Sequence, residues 1–349
     1  MKRLTVKLER SYDIIIENNI LSKAGELIRC VCSAKKACLV SDSNVYPLYG
    51  KLIEKQLCES GFEVIPFIFP AGEGSKTPET VLRIVGTMAE NDMMRGDIVI
   101  ALGGGVCGDI AGFAASVYLR GIDFVQLPTS LLSQLDSSVG GKTGVNLKQG
   151  KNLCGAFHQP SLVLIDPCVL DTLSQEHFSE GIAEAIKAGC IRDKVLFELL
   201  EKGDAKENIE EIIFRAVRVK AEIVERDEKE RGERALLNFG HTAGHAIERL
   251  HGFSDITHGE AVAAGMALIT RASQARGLTL EGTSHRLENV LKKYKLPLSD
   301  SHTKAEIIRA MNSDKKRRKN ALDFVLIKKI GEGYIYPVKY EDISAFFGC

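Results

Sequence analysis

The sequence lacks the features that mark a secreted, membrane-spanning or nucleic-acid-binding protein. Its nine cysteines include no Cys-x-x-Cys pair, which favours reduced thiols over a disulfide framework or a zinc–thiolate knuckle. Its 46 basic and 46 acidic side chains cancel, so no global field attracts nucleic acid or an anionic membrane. The N-terminus is charged, and no apolar run approaches the roughly 18 residues that a membrane helix needs. We therefore expect a cytoplasmic protein.

What is present is ordinary globular composition in two parts. Hydrophobic residues make up 44% of the 349-residue chain, which is enough for two domains of usual size. In the first half, short apolar runs alternate with helical periodicity, as in an α/β sheet. From about Leu170 the pattern is helical, and strand signals return only at 321–328 and 333–338. We expect an α/β domain at 1–170 and a mostly helical domain at 171–349.

Several segments allow a specific structural prediction. LTVKL and YDIIIE resemble a β-hairpin, and the runs ACLVS, FEVIPFIF, DIVIAL, DFVQLP and LVLID are bounded by Gly, Pro or Asp, as buried strands are. Thr77, Pro78 and Glu79 form an N-cap, a proline at the first helical position and an acid in the first turn. They predict that a helix begins there.

A glycine motif follows one of the predicted strands. Gly103, Gly105 and Gly108 stand in a G-x-G-x-x-G arrangement after DIVIAL and before an apolar helical run. Such glycines let backbone amides approach a pyrophosphate at a helix N-terminus. The alternative is a tight strand-to-helix turn, because no acid ends the next strand, where a ribose partner is expected. The long polar stretch at 127–160 is too glycine-rich for core, and loops of such length are more often sites.

The helical half contains candidate metal ligands. His241 and His245 are four residues apart, so a helix places both imidazoles on one face, and His258 opens the next helix. This spacing predicts a metal-binding pair, with hydrogen-bonded structural histidines as the alternative. Glu184 and Lys187 are three residues apart on a helix of small residues. They form either a surface ion pair or polar groups held in a cleft.

Eight blocks, in this order along the chain, resemble the 3-dehydroquinate synthases of the sugar-phosphate cyclase family. They are GEGSKT, GGGVCGD, LPTSLLSQLDSSVGGKTGVN, GKNLCGAFHQP, EGIAEAIKAG, DEKERGERALLNFGHTAGHAIE, HGEAVAAGM and DKK. The resemblance implies conversion of the phosphorylated sugar acid 3-deoxy-arabino-heptulosonate 7-phosphate to 3-dehydroquinate and phosphate. It also implies an NAD-binding α/β domain, a helical metal- and substrate-binding domain, a divalent zinc or cobalt ion, and a homodimer.

The resemblance assigns roles residue by residue. It implies that NAD lies against Asp42, Glu73, Lys76, Gly104, Gly105, Asp109, Thr129, Ser130, Lys142, Lys151 and Thr172. It implies that Glu184, His241 and His258 hold the metal, which replaces the ligand pair that spacing alone selects. The implied substrate contacts are Arg120, Asp136, Asn152, Lys187, Lys220, Arg234, Asn238 and Lys316, the last with Lys315 as its alternative. The implied catalytic residues are Glu230, His245, Lys187 and Lys142.

Two rival functions follow from the same residues. Another sugar-phosphate cyclase, such as a 2-deoxy-scyllo-inosose or amino-dehydroquinate synthase, would share the fold, the NAD and the metal. Arg120, Arg234 and the Asp-Lys-Lys motif at 314–316 resemble a set that binds a carboxylate, which favours dehydroquinate. A metal-dependent polyol dehydrogenase would release NADH and would not need so many cations. The combination of Glu184, His241 and His258 disfavours a non-enzymatic nucleotide-binding module.

Overall fold

The computed structural model describes residues 1–253, 255–312 and 320–348. The chain forms two compact units, Met1–Leu173 and Ser174–Cys349. Across the described residues, none of the helices combines the length and the apolar composition required to cross a bilayer.

The first unit contains an α/β sheet, its helices and a separate hairpin. The strands are β1 (Lys2–Val6), β2 (Tyr12–Ile16), β3 (Lys36–Asp42), β4 (Glu63–Phe69), β5 (Ile98–Gly103), β6 (Asp123–Pro128), β7 (Lys142–Leu147), β8 (Gly150–Phe157) and β9 (Leu162–Ile165). The helices are α1 (Ala24–Arg29), α2 (Lys51–Glu59), α3 (Pro78–Glu90) and α4 (Gly105–Val117). Thr77 caps α3, its hydroxyl accepting the Thr80 N–H at 3.3 Å, as the sequence predicts.

Seven strands form one sheet in the order β1-β2-β9-β6-β5-β3-β4. Strands β1 and β2 are the predicted antiparallel hairpin, and the remaining pairings are parallel. The five apolar runs in the sequence correspond to β3, β4, β5, β6 and β9, so these strand predictions are confirmed. Every residue of β5 is buried, as expected for a central parallel strand covered on both faces.

Alternate side chains of the strands build two apolar cores. In β3, Cys38 and Val40 join the core that α3 and α4 cover, through residues such as Ile84. Ala37 and Leu39 point to the opposite face and join the core that α1 and α2 cover. The period of two along the strand therefore fixes which helices lie on which face.

The stretch expected to be a loop at 127–160 contains a hairpin, so that expectation was wrong in part. Strand β7 pairs antiparallel with β8 in a sheet of its own. These strands carry glycine, lysine and asparagine where buried strands carry valine or isoleucine, and half of β8 is exposed. The apolar alternation that identifies a strand is therefore too weak here to be seen in the sequence.

The second unit is mainly helical. Its helices are α5 (Gln175–Ile191), α6 (Lys194–Lys202), α7 (Ile209–Arg226), α8 (His241–Leu250), α9 (His258–Ala275), α10 (Thr283–Lys293), α11 (Lys304–Asn312) and α12 (Ile343–Phe346). Strands β10 (Ala321–Lys329) and β11 (Glu332–Lys339) pair antiparallel, which confirms the two late strand signals. The structure thus combines the predicted α/β and helical parts.

One half-buried histidine of the first unit is expected to make stability dependent on pH. The ring of His158 stacks on Phe124, with centroids 5.3 Å apart, and its Nε2 lies 2.8 Å from the carbonyl oxygen of Ile122. Burial lowers the pKa of His158 below its ordinary value. The folded state therefore favours the neutral ring. The contribution of this ring to the free energy of unfolding is complete above the pKa of histidine in the unfolded state, about 6.5, and is lost as the pH falls below that value.

We predict that His158→Gln loses less thermal stability than the wild type between pH 7.5 and pH 5.5, because the variant has no imidazole to protonate. The measurement is the melting temperature of both proteins at each pH. An equal loss in the two proteins would contradict this role of His158.

Candidate functional site

A buried carboxylate lies at the centre of the candidate site in the second unit. Helix α5 begins with Ser174 as its N-cap and is buried along most of its length. The side chains of Glu184 and Lys187 are 1% and 3% exposed, and Lys187 Nζ contacts Glu184 Oε2 as an ion pair. The two groups are therefore not a surface ion pair. Neither oxygen of Glu184 accepts a hydrogen bond of normal geometry from the described residues.

Two close helix contacts bring histidines to Glu184. A Cβ on Gly265 of α9 would lie 2.1 Å from the carbonyl oxygen of Gly240, which immediately precedes α8. A Cβ on Gly259 would lie 2.5 Å from Cα of Glu180 on α5. Any larger residue at these positions would push the backbones apart. Gly259 thus allows the start of α9 to approach α5, and Gly265 allows the start of α8 to approach α9.

The first residues of α8 and α9 are His241 and His258. Nε2 of His241 lies 3.7 Å from Glu184 Oε1, and Nε2 of His258 lies 3.6 Å from the same oxygen. These separations are too long for hydrogen bonds. They are close to the roughly 3.4 Å expected between two ligands of one tetrahedral zinc ion at bond lengths near 2.1 Å. The ligand atoms of all three residues lie within 4.8 Å of one another.

The second nitrogen of each ring faces another polar group. Nδ1 of His241 lies 3.2 Å from the Phe239 carbonyl oxygen, so the N–H on Nδ1 donates there and Nε2 keeps its lone pair. Nδ1 of His258 lies 3.6 Å from Oε1 of Glu248. Metal-binding histidines are typically oriented by a carbonyl or carboxylate in this way. Glu260, beside the cluster in sequence, instead completes the capping box with Thr257 that starts α9.

The electrostatics of the cluster attract one positive charge. Burial lowers the pKa of His241 well below its ordinary value, and the Lys187 ammonium lowers it further. Burial also disfavours charge on His258, but the nearby carboxylates of Glu184 and Glu248 outweigh this and raise the pKa of His258 to about 10. The Glu184 carboxylate therefore draws a cation to the Nε2 side of His258, while Glu248 faces Nδ1. A proton or a divalent ion supplies that charge.

Other sequence-predicted residues surround this cluster. His245 is exposed, and its ring centroid lies 5.4 Å from that of His241 and 6.2 Å from that of His258. A further group of potential ligands combines His245 with Glu248 and His258. Among the described residues, no group of potential metal ligands contains both His241 and His245, the pair that spacing alone favours.

Two of the candidate cations of the second unit are buried. Lys220 on α7 is 9% exposed and Arg234 is 1% exposed. Arg234 Nη1 donates to the Glu228 carbonyl oxygen. Asn238 Nδ2 donates to Glu230 Oε1 at 3.1 Å. Lys316 and its alternative Lys315 lie outside the described residues.

A second His–Asp–His group in this unit has a different geometry. Asp300 Oδ2 lies 2.7 Å from Nε2 of His251, and Asp300 Oδ1 lies 2.7 Å from Nδ1 of His302. These are hydrogen-bond lengths, shorter than the spacing of ligands around one ion. The group therefore connects the end of α8 to the turn before α11 by hydrogen bonds.

In the first unit, the candidate nucleotide residues follow the carboxyl ends of parallel strands. Asp42 ends β3, Gly104 and Gly105 follow β5, and Thr129 and Ser130 follow β6. Strand β3 continues outward to β4, whereas β5 continues in the opposite direction to β6. The position between β3 and β5 is therefore a topological switch point, where open α/β sheets bind ligands. Gly104 also directly precedes α4 as its N-cap, which leaves helix amides at this edge.

A polar network joins further candidates of the first unit. Lys76 Nζ lies 2.6 Å from Asp109 Oδ2 and 2.6 Å from Asn152 Oδ1. Asn146 donates to Glu73 Oε1 at 2.7 Å and accepts the N–H of Asn152 at 2.9 Å. Asn152 has a φ of 56°, so this backbone bond holds a conformation that asparagine adopts more readily than most residues.

The remaining candidates of the first unit are more dispersed. Thr172 Oγ1 lies 2.7 Å from the Tyr49 hydroxyl, which follows β3. Lys142 begins β7, Lys151 lies in β8, and Asp136 lies in the turn that follows β6. Arg120 is exposed and lies between α4 and the start of β6. Arg120 therefore lies at the amino-terminal end of the parallel strands, whereas Gly104 and Gly105 lie at their carboxyl end.

The sequence places Glu248 beside the histidine cluster, whereas it gives no indication of Asn146. Glu248 lies three residues after His245 and seven after His241, so helical periodicity already placed it on their face. Asn146 gave no comparable signal, because Glu73 is 73 residues away in the sequence and Asn152 lies on the other strand of a hairpin that the sequence does not reveal.

Comparison with known proteins agrees with this architecture. A 2-epi-5-epi-valiolone synthase from Streptomyces hygroscopicus, solved with NAD⁺ and Zn²⁺ bound, is 31% identical, with a TM-score of 0.86 and coverage of 98% of this chain and 97% of that one. A 2-deoxy-scyllo-inosose synthase complexed with carbaglucose-6-phosphate, NAD⁺ and Co²⁺ has a TM-score of 0.87 at 24% identity, covering 99% of each chain. The fold is that of the sugar-phosphate cyclases.

Sequence comparison is more specific. The profile of 3-dehydroquinate synthase N-terminal domains matches residues 66–180, and that of the C-terminal domains matches residues 181–317. A 3-dehydroquinate synthase from Clostridium perfringens is 48% identical over 347 residues, covering 98% of this chain and 99% of the relative. The chain belongs to the 3-dehydroquinate synthase family.

The orienting role of Glu248 leads to a prediction. Glu248→Gln should weaken zinc binding by about 10- to 100-fold, because the carboxylate that orients His258 is lost. Isothermal titration of the purified protein with Zn²⁺ measures the affinity. Glu306→Gln is the matched control, since Glu306 caps α11 through Thr303. Equal affinities for the wild type and Glu248→Gln would contradict the role of Glu248.

Proposed function

We propose that this chain converts 3-deoxy-arabino-heptulosonate 7-phosphate to 3-dehydroquinate and phosphate, using NAD and a divalent zinc or cobalt ion. The observation that supports this most is the convergence of Glu184, His241 and His258 in a chain of the 3-dehydroquinate synthase family. The separation of these side chains suits a metal with open positions for substrate oxygens.

The residues of the first unit fit a dinucleotide. The backbone amides of Gly104 and Gly105 lie at the start of a 13-residue helix. The N-terminus of a helix binds a pyrophosphate favourably. Lys76 forms an ion pair with Asp109 of that helix and so places a cation near the helix N-terminus. When bound, NAD would supply reversible hydride transfer, so the reaction would have no net redox change. Asp42, Glu73, Thr129, Ser130, Lys142, Lys151 and Thr172 complete the proposed cofactor set.

The residues of the second unit fit a metal and an oxygen-rich anion. When bound, the divalent ion supplies Lewis-acid polarisation of a substrate oxygen. The neutral Nε2 of His241 and the carboxylate of Glu184 hold it, with the Nε2 of His258 as the third ligand. Lys187 is next to Glu184 and keeps positive charge beside this centre, where it favours a phosphate or carboxylate.

Substrate recognition is assigned to the surrounding polar groups. Arginine suits the planar carboxylate of the sugar acid because its guanidinium binds both oxygens, and Arg234 is the buried arginine nearest in sequence to the metal ligands. Lys220 is a second buried cation that suits phosphate. Arg120, Asp136, Asn152, Asn238 and Lys316 complete the proposed substrate set.

Proton transfer is assigned to Glu230 and His245. Asn238 fixes one oxygen of Glu230. The ring of His245 lies beside the rings of two proposed ligands without belonging to their set. We assign to His245 the role of holding the departing phosphate, which can itself accept the substrate proton, and we assign the remaining catalytic roles to Lys142 and Lys187.

A homodimer and a cytoplasmic location belong to the same proposal. Arg120 lies at the opposite sheet edge from the proposed NAD residues, which suits a residue that serves a neighbouring subunit. The eight described cysteines form no disulfide, as is usual in a reducing compartment.

We predict that the purified protein releases inorganic phosphate from the heptulosonate phosphate without accumulating NADH. Chelation should abolish release, and Zn²⁺ or Co²⁺ should restore it. A phosphate assay and absorbance at 340 nm measure the two products together. Steady NADH formation would instead support a polyol dehydrogenase, and lack of phosphate release with metal and NAD present would contradict the proposal.

We also predict that Arg120→Ala and His245→Ala each slow turnover strongly while both variants still bind zinc. In a dimer whose Arg120 serves the neighbouring site, a mixture of the two variants contains one intact site per heterodimer. Refolding or co-expressing the pair should therefore recover activity that neither variant has alone. Absence of recovery in proven heterodimers would contradict a shared site.

A further inference from the structure

We infer that Asp227 is the positioning residue of the segment that contains Glu230 and Arg234. This inference rests on the proposed function, because it concerns two residues assigned there to proton transfer and substrate binding. Asp227 itself has no direct part in that assignment. It follows α7 as its C-cap residue and begins the segment 227–234.

The carboxylate of Asp227 accepts three backbone N–H groups of this segment. Oδ1 accepts from Arg231 at 2.8 Å, and Oδ2 accepts from Gly232 at 2.7 Å and from Arg234 at 3.0 Å. Each is a hydrogen bond to a charged acceptor, which is stronger than one between neutral groups. Together they lower the pKa of Asp227, with the Arg231 bond as the largest cause. The carboxylate is therefore ionised when it holds the segment.

The conformation that these bonds hold is unfavourable in isolation. Glu230 has a φ of 54°, in the left-handed region that residues other than glycine seldom adopt. Its N–H lies 3.4 Å from the Asp227 carbonyl oxygen, a weak bond. Such backbone geometry persists only when neighbouring contacts enforce it. The three bonds from the next turn to Asp227 provide that enforcement.

The same bonds place the Glu230 carboxylate and the Arg234 guanidinium. With its N–H bound to Asp227, Arg234 directs Nη1 to the Glu228 carbonyl oxygen of the same segment. Glu230 directs Oε1 to Asn238. Rotation of the segment would move both side chains together. Asp227 thus acts on the reaction through them.

The decisive substitution is Asp227→Asn. The shape is retained, but the side chain offers one oxygen and one NH₂ where the wild type offers two oxygens. At least one of the three N–H groups then faces another donor. We expect turnover to fall by at least tenfold and KM for the heptulosonate phosphate to rise, with zinc stoichiometry unchanged because no proposed ligand lies in the segment.

Asp204→Asn is the matched control. Asp204 also accepts backbone N–H groups after a helix, from Lys206 at 2.7 Å and from Glu207 at 3.4 Å, but no proposed site residue lies in its turn. Its variant should keep the wild-type kcat and KM. A purely structural role of Asp227 would lower kcat only in proportion to lost zinc and leave KM unchanged, so that pattern would overturn the inference. Wild-type kinetics in Asp227→Asn would also overturn it.

Hydrogen exchange of the full-length wild type tests the contact without an activity assay. The amides of Arg231, Gly232 and Arg234 should be protected, and that protection should be lost in Asp227→Asn. If the variant does not fold, the wild-type measurement still tests the three hydrogen bonds to Asp227, because exchange of these amides at the rates of an unstructured chain would refute them. A wild type that releases no phosphate would refute the proposed function, while the exchange data would still test the hydrogen bonds to Asp227.

Discussion

The burial of Glu184 is the constraint on which the organisation of the second unit depends. A carboxylate that is almost fully removed from water requires compensating charge. Lys187, one turn later on the same helix, supplies part of it. Two imidazoles from other helices face the remaining oxygen at separations longer than hydrogen bonds. The requirement for charge at this point links the helix packing to the proposed metal chemistry.

Helix packing in turn depends on residues without side chains. Gly259 and Gly265 permit approaches that any other residue would block. As a result, the first residue of α8 and the first residue of α9 both reach α5. Small residues in these helices, which contribute little to a hydrophobic core, are therefore explained by the distances that the site requires. The orienting groups Phe239 and Glu248 then determine which nitrogen of each ring faces Glu184.

Local sequence patterns predicted the fold well but the site only in part. Apolar runs and caps sufficed for the strands of the main sheet and the start of α3, because periodicity records burial directly. Spacing along one helix suggested His241 with His245, whereas Glu184 is 57 positions before His241 and came only from family resemblance. Periodicity carries no information on contacts between distant segments. Asn146 was missed for this reason, because Glu73 is 73 residues away. Asp227 was missed because its role depends on a local backbone turn that residue type does not reveal.

The proposed chemistry depends most directly on where a metal binds. Crystals of the zinc-loaded protein, measured at the zinc absorption edge, would show the ion by its anomalous scattering. We predict one strong peak within about 2.3 Å of an oxygen of Glu184 and of Nε2 of His241 and His258. A peak at His251, Asp300 and His302 instead, or none at Glu184 under saturating zinc, would contradict the account.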